Sequence, residues 1–480
     1  MANQVIVSYH FGTSSELDAY WVAFAVMSFL AFPLTPMREA LVPEVHRHAQ
    51  ISAQAASDYF SKALSLILLV ACIGGLIGII FSNSIFDWFD EKNNPLMRVE
   101  GMRNLMWLAP AIILLALSDT LNSLLISYNR VILQSLFRIL AAGASVATIA
   151  LAVGWLGSFV LVLGFIVGQL ISVLFLIHAL WKEGLRFRFC LPLGLGNNFL
   201  HLSGVLFVSY ALSQIYSVYE KVTFVDLSTG LVSAFQYAVS ITNVVITVIG
   251  LSVANVLWPR FLKHSASENY QQMHRELITT LKAVLLLLGG VCVLIYALSS
   301  VVVQLLFMRG SFDQAAATLT TQALEWAIFA AIPISIGFVI GKVLLSQGAS
   351  KSIMAVGLIT AVFGMLILFL AKAYGSTVLA MSHWVFANSL GSILAFFLVV
   401  GPQNRSISNV LKTLYWLLRL ILVACLAIYA SDVPVQLFPE LPFLPLVVLR
   451  ASCFILIYGL TSFFLGLLSE FIPKTSVRTM

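Results

Sequence analysis

A chain of 480 residues with 60% hydrophobic and only 10% charged side chains has too little polar material to coat a water-soluble domain. That composition excludes a soluble enzyme or binding module and points to an all-α polytopic membrane protein. The formal charge of +6 does not signal nucleic-acid binding, because no Lys/Arg-rich run interleaved with aromatics occurs; in a multispanning protein a basic excess reports loop topology.

The first residues, MANQVIVSYHFGTSSELDAY, carry neither a basic n-region nor an apolar core, so no cleavable signal peptide is expected and insertion rests on the spans themselves. A window of about 19 residues predicts spans at 18–43, 62–83, 104–128, 138–156, 158–180, 200–219 and 231–258. It predicts six more at 280–307, 323–346, 352–373, 377–400, 410–430 and 445–471, giving about thirteen helices joined by short loops.

Orientation follows from the retention of Lys and Arg on the cytoplasmic side. One alternate set of loops holds fifteen of them, from Arg47 to Arg478. The other set holds six, Lys92, Arg98, Arg103, Lys221, Arg309 and Lys372, partly offset by acids such as Asp87 and Asp226. The C-terminus is therefore expected in the cytoplasm and the residues before the first span outside. An odd helix count with the amino end outside implies a missing or shortened helix before the first span, or a misplaced start codon.

Two stretches share an order of features. Leu231 to Phe261 (LVSAFQYAVSITNVVITVIGLSVANVLWPRF) and Leu17 to Val45 (LDAYWVAFAVMSFLAFPLTPMREALVPEV) both open on Ala-aromatic and Ala-Val pairs and close on Trp-Pro or Val-Pro beside a charge. Matching Pro43 to Pro259 brings Ala19 to within one residue of Ala234. Six helices separate the copies, as expected of parallel repeats related by an axis along the membrane normal. The predicted organisation is an N-terminal lobe at 1–181, a cytoplasmic linker at 182–199, a C-terminal lobe at 200–401, and two extra helices with a cytoplasmic tail at 402–480. In the linker, Arg186, Phe187, Arg188 and Phe189 are expected at the lipid headgroups.

No GxxxxGK[ST] loop, HExxH helix or GxSxG elbow is present, so neither an ATP-driven pump nor an enzyme is expected. His46 and His48 lie two apart, not four apart on a helix, and the five cysteines form no CxxC pair; no metal site and free thiols are expected. Ionisable residues inside spans are more informative, because a charge at mid-membrane costs about 2.5–3.5 kcal/mol and needs a cavity or a partner. Arg38 and Asp119 are the candidates to face a polar cavity. Asp18, Glu325, Lys342 and Arg450 complete the set with Glu220 and Lys221, which are expected as an interfacial pair. Ser213, Gln214, Tyr216, Ser233, Gln236, Ser240 and Asn243 form one polar hairpin wall. Such a wall suits sugar hydroxyls, and helix-to-helix hydrogen bonding explains it equally well.

The segment SYALSQIYSVYEKVTFVDLSTGLVSAFQYAVSITNVVITVIGLSVANVLWPRF (Ser209 to Phe261) resembles the seventh and eighth spans of the MurJ (MviN) lipid II flippases, within the multidrug/oligosaccharidyl-lipid/polysaccharide exporter superfamily. Similar blocks are FGTSSELDAYWVAF (Phe11 to Phe24), LISYNR ending at Arg130, and LLFMRGSFDQAAATLTTQAL (Leu305 to Leu324), the last like that family's outer-loop RGxF motif. The resemblance implies fourteen helices in two pseudo-symmetric lobes around a central basic cavity, plus two C-terminal helices. It also implies transport of an undecaprenyl-diphosphate-linked glycan across the bacterial inner membrane by alternating access, with no cofactor but with dependence on membrane potential or a coupling ion.

Departures from the family pattern are specific. The family's first span is reduced to a remnant at about Gln4 to His10, the arginine pair of the next span falls on Phe29 and Leu30, and the eighth-span arginine falls on Ser240. Asp18 matches the Asp of the family's TDAF-like motif. The substrate-cavity candidates are therefore Asp18, Arg38, Asp119, Gln214, Gln236, Ser240 and Asn243. The expected partners are the polyprenyl-diphosphate glycan, membrane lipids and glycan-assembly proteins. Two other readings stay open at this point: an ion-coupled multidrug-type antiporter using Asp119 or Asp18, and an inactive paralogue that acts as a scaffold.

Overall fold

The computed structural model describes residues 2–89, 95–127, 130–182, 187–188, 190–191, 195, 197–400, 407–438 and 440–467, and no strand occurs among them. In chain order the helices are α1 (Ala2–Phe11), α2 (Ser15–Ala31), α3 (Leu34–Ala49), α4 (Ala53–Ile80), α5 (Ser82–Phe89), α6 (Pro95–Ser127), α7 (Val131–Leu156), α8 (Phe159–Lys182), α9 (Asn197–Leu227) and α10 (Leu231–Val245). A π-helical turn, Ile246–Leu251, joins α10 to α11 (Ser252–Ala266). Then follow α12 (Tyr270–Ala297), α13 (Ser299–Phe307), α14 (Gln314–Ala327), α15 (Ala331–Ser346), α16 (Ser350–Tyr374), α17 (Thr377–Val400), α18 (Ile407–Leu437) and α19 (Phe443–Phe464).

Local chemistry sets several of these boundaries. Ser52 caps α4 through the Ala55 N–H at 3.0 Å, so this helix starts nine residues before the predicted span. Pro95 opens α6, where its missing N–H costs nothing. Asp313 accepts from the Ala316 N–H at 2.8 Å and starts α14 well ahead of the predicted residue 323.

Among the described residues, 11 helices are long and apolar enough to cross a membrane, or 12 if the bent pair α2–α3 counts as one span. Three expectations change. The predicted span 18–43 is broken, with a 49° bend between α2 and α3, because Pro33 lacks an N–H and restricts Phe32 before it. The predicted span 200–219 is part of the 31-residue α9, which runs on through Glu220, Lys221 and Asp226. The predicted span 280–307 divides at Leu298 into α12 and the nine-residue α13.

The chain forms two compact units. The first comprises Met1–Ser233, Arg309–Ala316 and Met365–Ala380; the second comprises Ala234–Met308, Ala317–Gly364 and Met381–Met480. This division follows packing and does not coincide with the linker at 182–199. The reason is that α9 packs on α2 and α3: the Phe32 and Phe207 rings lie 4.8 Å apart, and Tyr210 Oη donates to Glu39 at 2.5 Å. The described part of the linker runs along α4, with the Arg188 N–H on Ser61 Oγ at 3.1 Å and the Phe187 ring 6.4 Å from Phe60. Arg186, Phe189 and the tail beyond residue 467 lie outside the described residues.

In the first unit α6 is the central element, packed by α2, α4 and α8. Gly74, Gly75 and Gly78 of α4 let the backbones close up: a Cβ at Gly75 would stand 2.9 Å from the Ala109 carbonyl oxygen, and one at Gly78 2.9 Å from Leu30 Cδ1. Close approach of this kind replaces the hydrophobic drive that lipid removes.

In the second unit Arg450 ties three helices together. It donates to Ser431 O at 3.2 Å, to Ala297 O at 3.1 Å and to Asp432 Oδ1 at 2.7 Å, filling acceptors at the end of α12 and within α18. Arg450→Gln is expected to leave such acceptors short and to cost about 1–3 kcal/mol, read as a lower thermal unfolding midpoint of the purified protein. An unchanged midpoint would show that the three contacts are dispensable.

The repeat has a structural counterpart. Matching Pro43 to Pro259 aligns Phe32 and Pro33 with Val248 and Ile249, so the bend between α2 and α3 and the π-helical turn occupy the same register position. Both interrupt an otherwise helical span, as proline and π-turns characteristically do. Gly250, inside the π-turn, packs so tightly on the wholly buried Ser335 that no side chain fits there.

Candidate functional site

Arg38 lies on α3, one turn beyond the bend, and Asp119 lies on α6. Their side chains meet at 3.3 Å, Nη1 to Oδ2, with 24% and 44% of their surfaces exposed. The pair lines a cavity of about 140 Å³ walled by Ser28, Thr35, Thr120 and Gln214 among apolar residues including Phe32 and Leu115. The bend makes this geometry: it turns α3 away from the line of α2 and opens space beside α6. A half-exposed pair of this kind contributes only about 0–1 kcal/mol to stability. The fold therefore brings Arg38, Asp119 and Gln214 together, three of the seven cavity candidates.

Asp18 is placed differently. It is wholly enclosed and accepts three hydrogen bonds: from the Gly230 N–H at 2.6 Å, the Ser233 N–H at 2.9 Å and Ser233 Oγ at 2.5 Å. Those N–H groups belong to the first turn of α10 and the residue before it, which have no partner inside the helix and carry the positive end of its dipole. Asp18 thus caps α10 from α2 and lines no described cavity in this state. Lys221 stands near enough for its charge to act on Asp18, and it pairs with Glu220 at 2.5 Å. Both members of that pair are buried, because α9 is packed inside the first unit.

Around this cap three turns interlock. Gly230, at φ +83°, sits against Thr13, and a Cβ there would approach the Thr13 carbonyl oxygen to 2.7 Å. The Ser311 N–H donates to Tyr9 O at 2.8 Å, and Gly12, at φ +53°, has room for no Cβ beside the Ser311 carbonyl. The RGSF segment, Arg309 to Phe312, thereby joins the α1–α2 turn, with Phe312 buried. Sequence reasoning found both the motif and Asp18 but not the turn on which each docks. It also missed Lys372 with Asp226 at 2.9 Å, since nothing local marks two charges 146 positions apart as partners.

The remaining candidates lie in the second unit. Ser240 Oγ donates to Tyr237 O of its own helix at 2.7 Å, Gln236 is partly buried and Asn243 is exposed. Ser233 is committed to Asp18, so the polar residues of the predicted hairpin wall serve separate purposes. Glu325 accepts from Ser299 Oγ at 3.3 Å, and the Lys342 ammonium sits 4.7 Å from the Trp258 ring centre.

One family's sequence model, described as "Lipid II flippase MurJ", matches residues 7–447 of the chain. The chain belongs to the lipid II flippase MurJ family. Among MurJ relatives, a probable lipid II flippase of Buchnera aphidicola subsp. Baizongia pistaciae is 21% identical over 413 residues, covering 84% of this chain and 79% of the relative. A second, from Borreliella burgdorferi, is 24% identical over 317 residues and covers 64% and 62%. The solved structure "Lipid II flippase MurJ, inward closed conformation" superposes with a TM-score of 0.78 at 19% identity, over 97% of this chain and 95% of that one. An inward-facing multidrug resistance MATE family transporter of the MOP superfamily gives 0.68 at 15% identity, over 84% and 94%. Membership of MurJ thus rests on the sequence match, and the structural likeness supports the fold.

Proposed function

We propose that this protein moves a polyprenyl-diphosphate-linked glycan, lipid II or a related cell-wall or exopolysaccharide precursor, from the inner to the outer leaflet of the bacterial inner membrane by alternating access. The observation that carries this reading is the family match across residues 7–447. The chemistry agrees with it. The work is relocation, so no bond need be made or broken, and what is required is a polar path for a charged headgroup beside lipid for its tail. The Arg38 cavity supplies a cation, paired with Asp119, and neutral hydrogen-bonding groups within an apolar helix set.

The positive-inside distribution orients the carrier with the C-terminus in the cytoplasm and the Asp18 cap with its interlocked turns on the outer side. The cap then holds the outer end shut while the Arg38 end receives substrate from the cytoplasmic leaflet. The repeat boundaries, 1–181 and 200–401, mark the halves that rock, and 402–480 adds the two extra helices. Resetting a carrier of net charge draws on the membrane potential at about 2.3 kcal/mol per charge per 100 mV, or on a coupling ion. Membrane lipids and glycan-assembly proteins are its remaining partners.

The test is complementation. A bacterium depleted of its own lipid II flippase is expected to regain growth, or export of a polyprenyl-linked glycan, when it expresses this chain. Membrane-inserted protein that restores neither would reject the proposal.

A further inference from the structure

We infer that Asp119 is a tethered counter-ion that keeps the empty cavity neutral, and that the diphosphate of the substrate takes its place on the Arg38 guanidinium. The inference rests on the flippase reading above and adds how the site is held ready and released.

The Arg38–Asp119 contact is built to exchange. It engages one nitrogen at 3.3 Å, longer than the 2.7–2.9 Å usual for a charge-assisted hydrogen bond, and both groups keep access to the cavity. A guanidinium presents a planar fork that a diphosphate meets with several oxygens and more than one negative charge, whereas Asp119 offers one oxygen. The incoming anion therefore wins on both charge and geometry.

The neighbourhood directs that competition to one carboxylate. Arg38 is the sole Lys or Arg among the described residues that line this cavity. The acid beside it in sequence, Glu39, is held on α9 by Tyr210 at 2.5 Å and is thereby occupied elsewhere. The hydroxyls of Thr35 and Thr120 and the Gln214 amide remain for the other phosphate oxygens or the first sugar. A pair that only stapled α3 to α6 would need no open cavity beside it.

The full chain, purified in detergent, is titrated calorimetrically with farnesyl diphosphate, a short soluble polyprenyl diphosphate, with farnesol as the tail-only control. Asp119→Asn is expected to bind farnesyl diphosphate about fivefold more tightly, because the internal competitor is gone. Arg38→Gln is expected to bind at least tenfold more weakly, and the double variant no more tightly than Arg38→Gln alone. Farnesol should bind all four proteins alike, and inorganic pyrophosphate should compete with the same ranking, which identifies the diphosphate as the recognised group. If Asp119→Asn leaves binding unchanged or weakens it, or if Arg38→Gln has no effect, the counter-ion role is wrong. Thermal unfolding checks each variant. Should Arg38→Gln fail to fold, Arg38→Lys, which keeps charge but loses the fork, is expected to bind several-fold more weakly and decides in its place. Binding that follows this pattern in a chain that fails complementation would reject transport and keep the inference; complementation without the Asp119→Asn gain would do the reverse.

Discussion

Asp18→Asn is expected to release the first turn of α10, with protection of the Gly230–Ser233 amides from hydrogen exchange falling by a factor of about 30 to 700. Asparagine has nearly the same shape, so the effect is one of hydrogen-bond sense and charge. Aspartate offers acceptors to two N–H groups and a hydroxyl, at 2.5 to 2.9 Å. Asparagine keeps one oxygen and turns an amide N–H₂ toward whichever donor is left, placing donor against donor in an enclosed site. Hydrogen bonds to a charged group contribute about 1.5–3 kcal/mol each, and losing one while weakening the others costs about 2–4 kcal/mol. The favourable contact with the helix dipole is lost as well. Because α2 and α10 meet at this cap, the same change should open the interlocked turns around Gly12, Gly230 and Ser311. In the transport reading, it shifts the carrier from its outer-closed state. Unchanged exchange at Gly230–Ser233 would show that the cap does not hold the turn.

Gly75→Leu is expected to prevent stable folding, seen as loss of the monodisperse fraction in detergent and a markedly lower unfolding midpoint. The first atom of any side chain at this position would lie 2.9 Å from the Ala109 carbonyl oxygen, and the next residue of α6 is Pro110. A backbone carbonyl cannot swing aside as a side chain can, so α4 and α6 must separate. Overpacking typically costs about 1–3 kcal/mol, and this case lies at the top of that range. Separation also removes the close contact on which helix association in lipid depends. Gly143→Leu on α7 is the matched control. Nothing lies within 4 Å of a Cβ there, so its midpoint should stay near that of the parent protein. Equal behaviour of the two variants would refute the packing argument.

Much of the fold was legible because a bilayer imposes a simple rule: about 20 apolar residues per crossing, with every backbone group satisfied within the helix. Where a prediction slipped, a local competitor was responsible. Pro33 broke the first span, and Ser52 and Asp313 moved helix starts upstream. For the site, the expense of burying Arg38 and Asp119 marked them in advance as residues needing a cavity or a partner, and the structure places both at one cavity and pairs them. The same logic marked Asp18 but not its purpose, because the partner it caps begins more than 200 residues later.

By itself, then, the amino-acid sequence determined the class of the molecule, the approximate run of its helices, the repeat from 17–45 to 231–261 and the family to which the chain belongs. These are carried by composition, period and local order, which do not depend on distant contacts. Only the tertiary structure decided which polar residues share a site. It sent Asp18 to the end of α10, Arg38 to Asp119, Glu39 to Tyr210 and Lys372 to Asp226. Those choices turn on the bend at Pro33 and on how closely glycine lets neighbouring backbones approach. They are properties of packed helices in three dimensions, and no stretch of sequence encodes them alone.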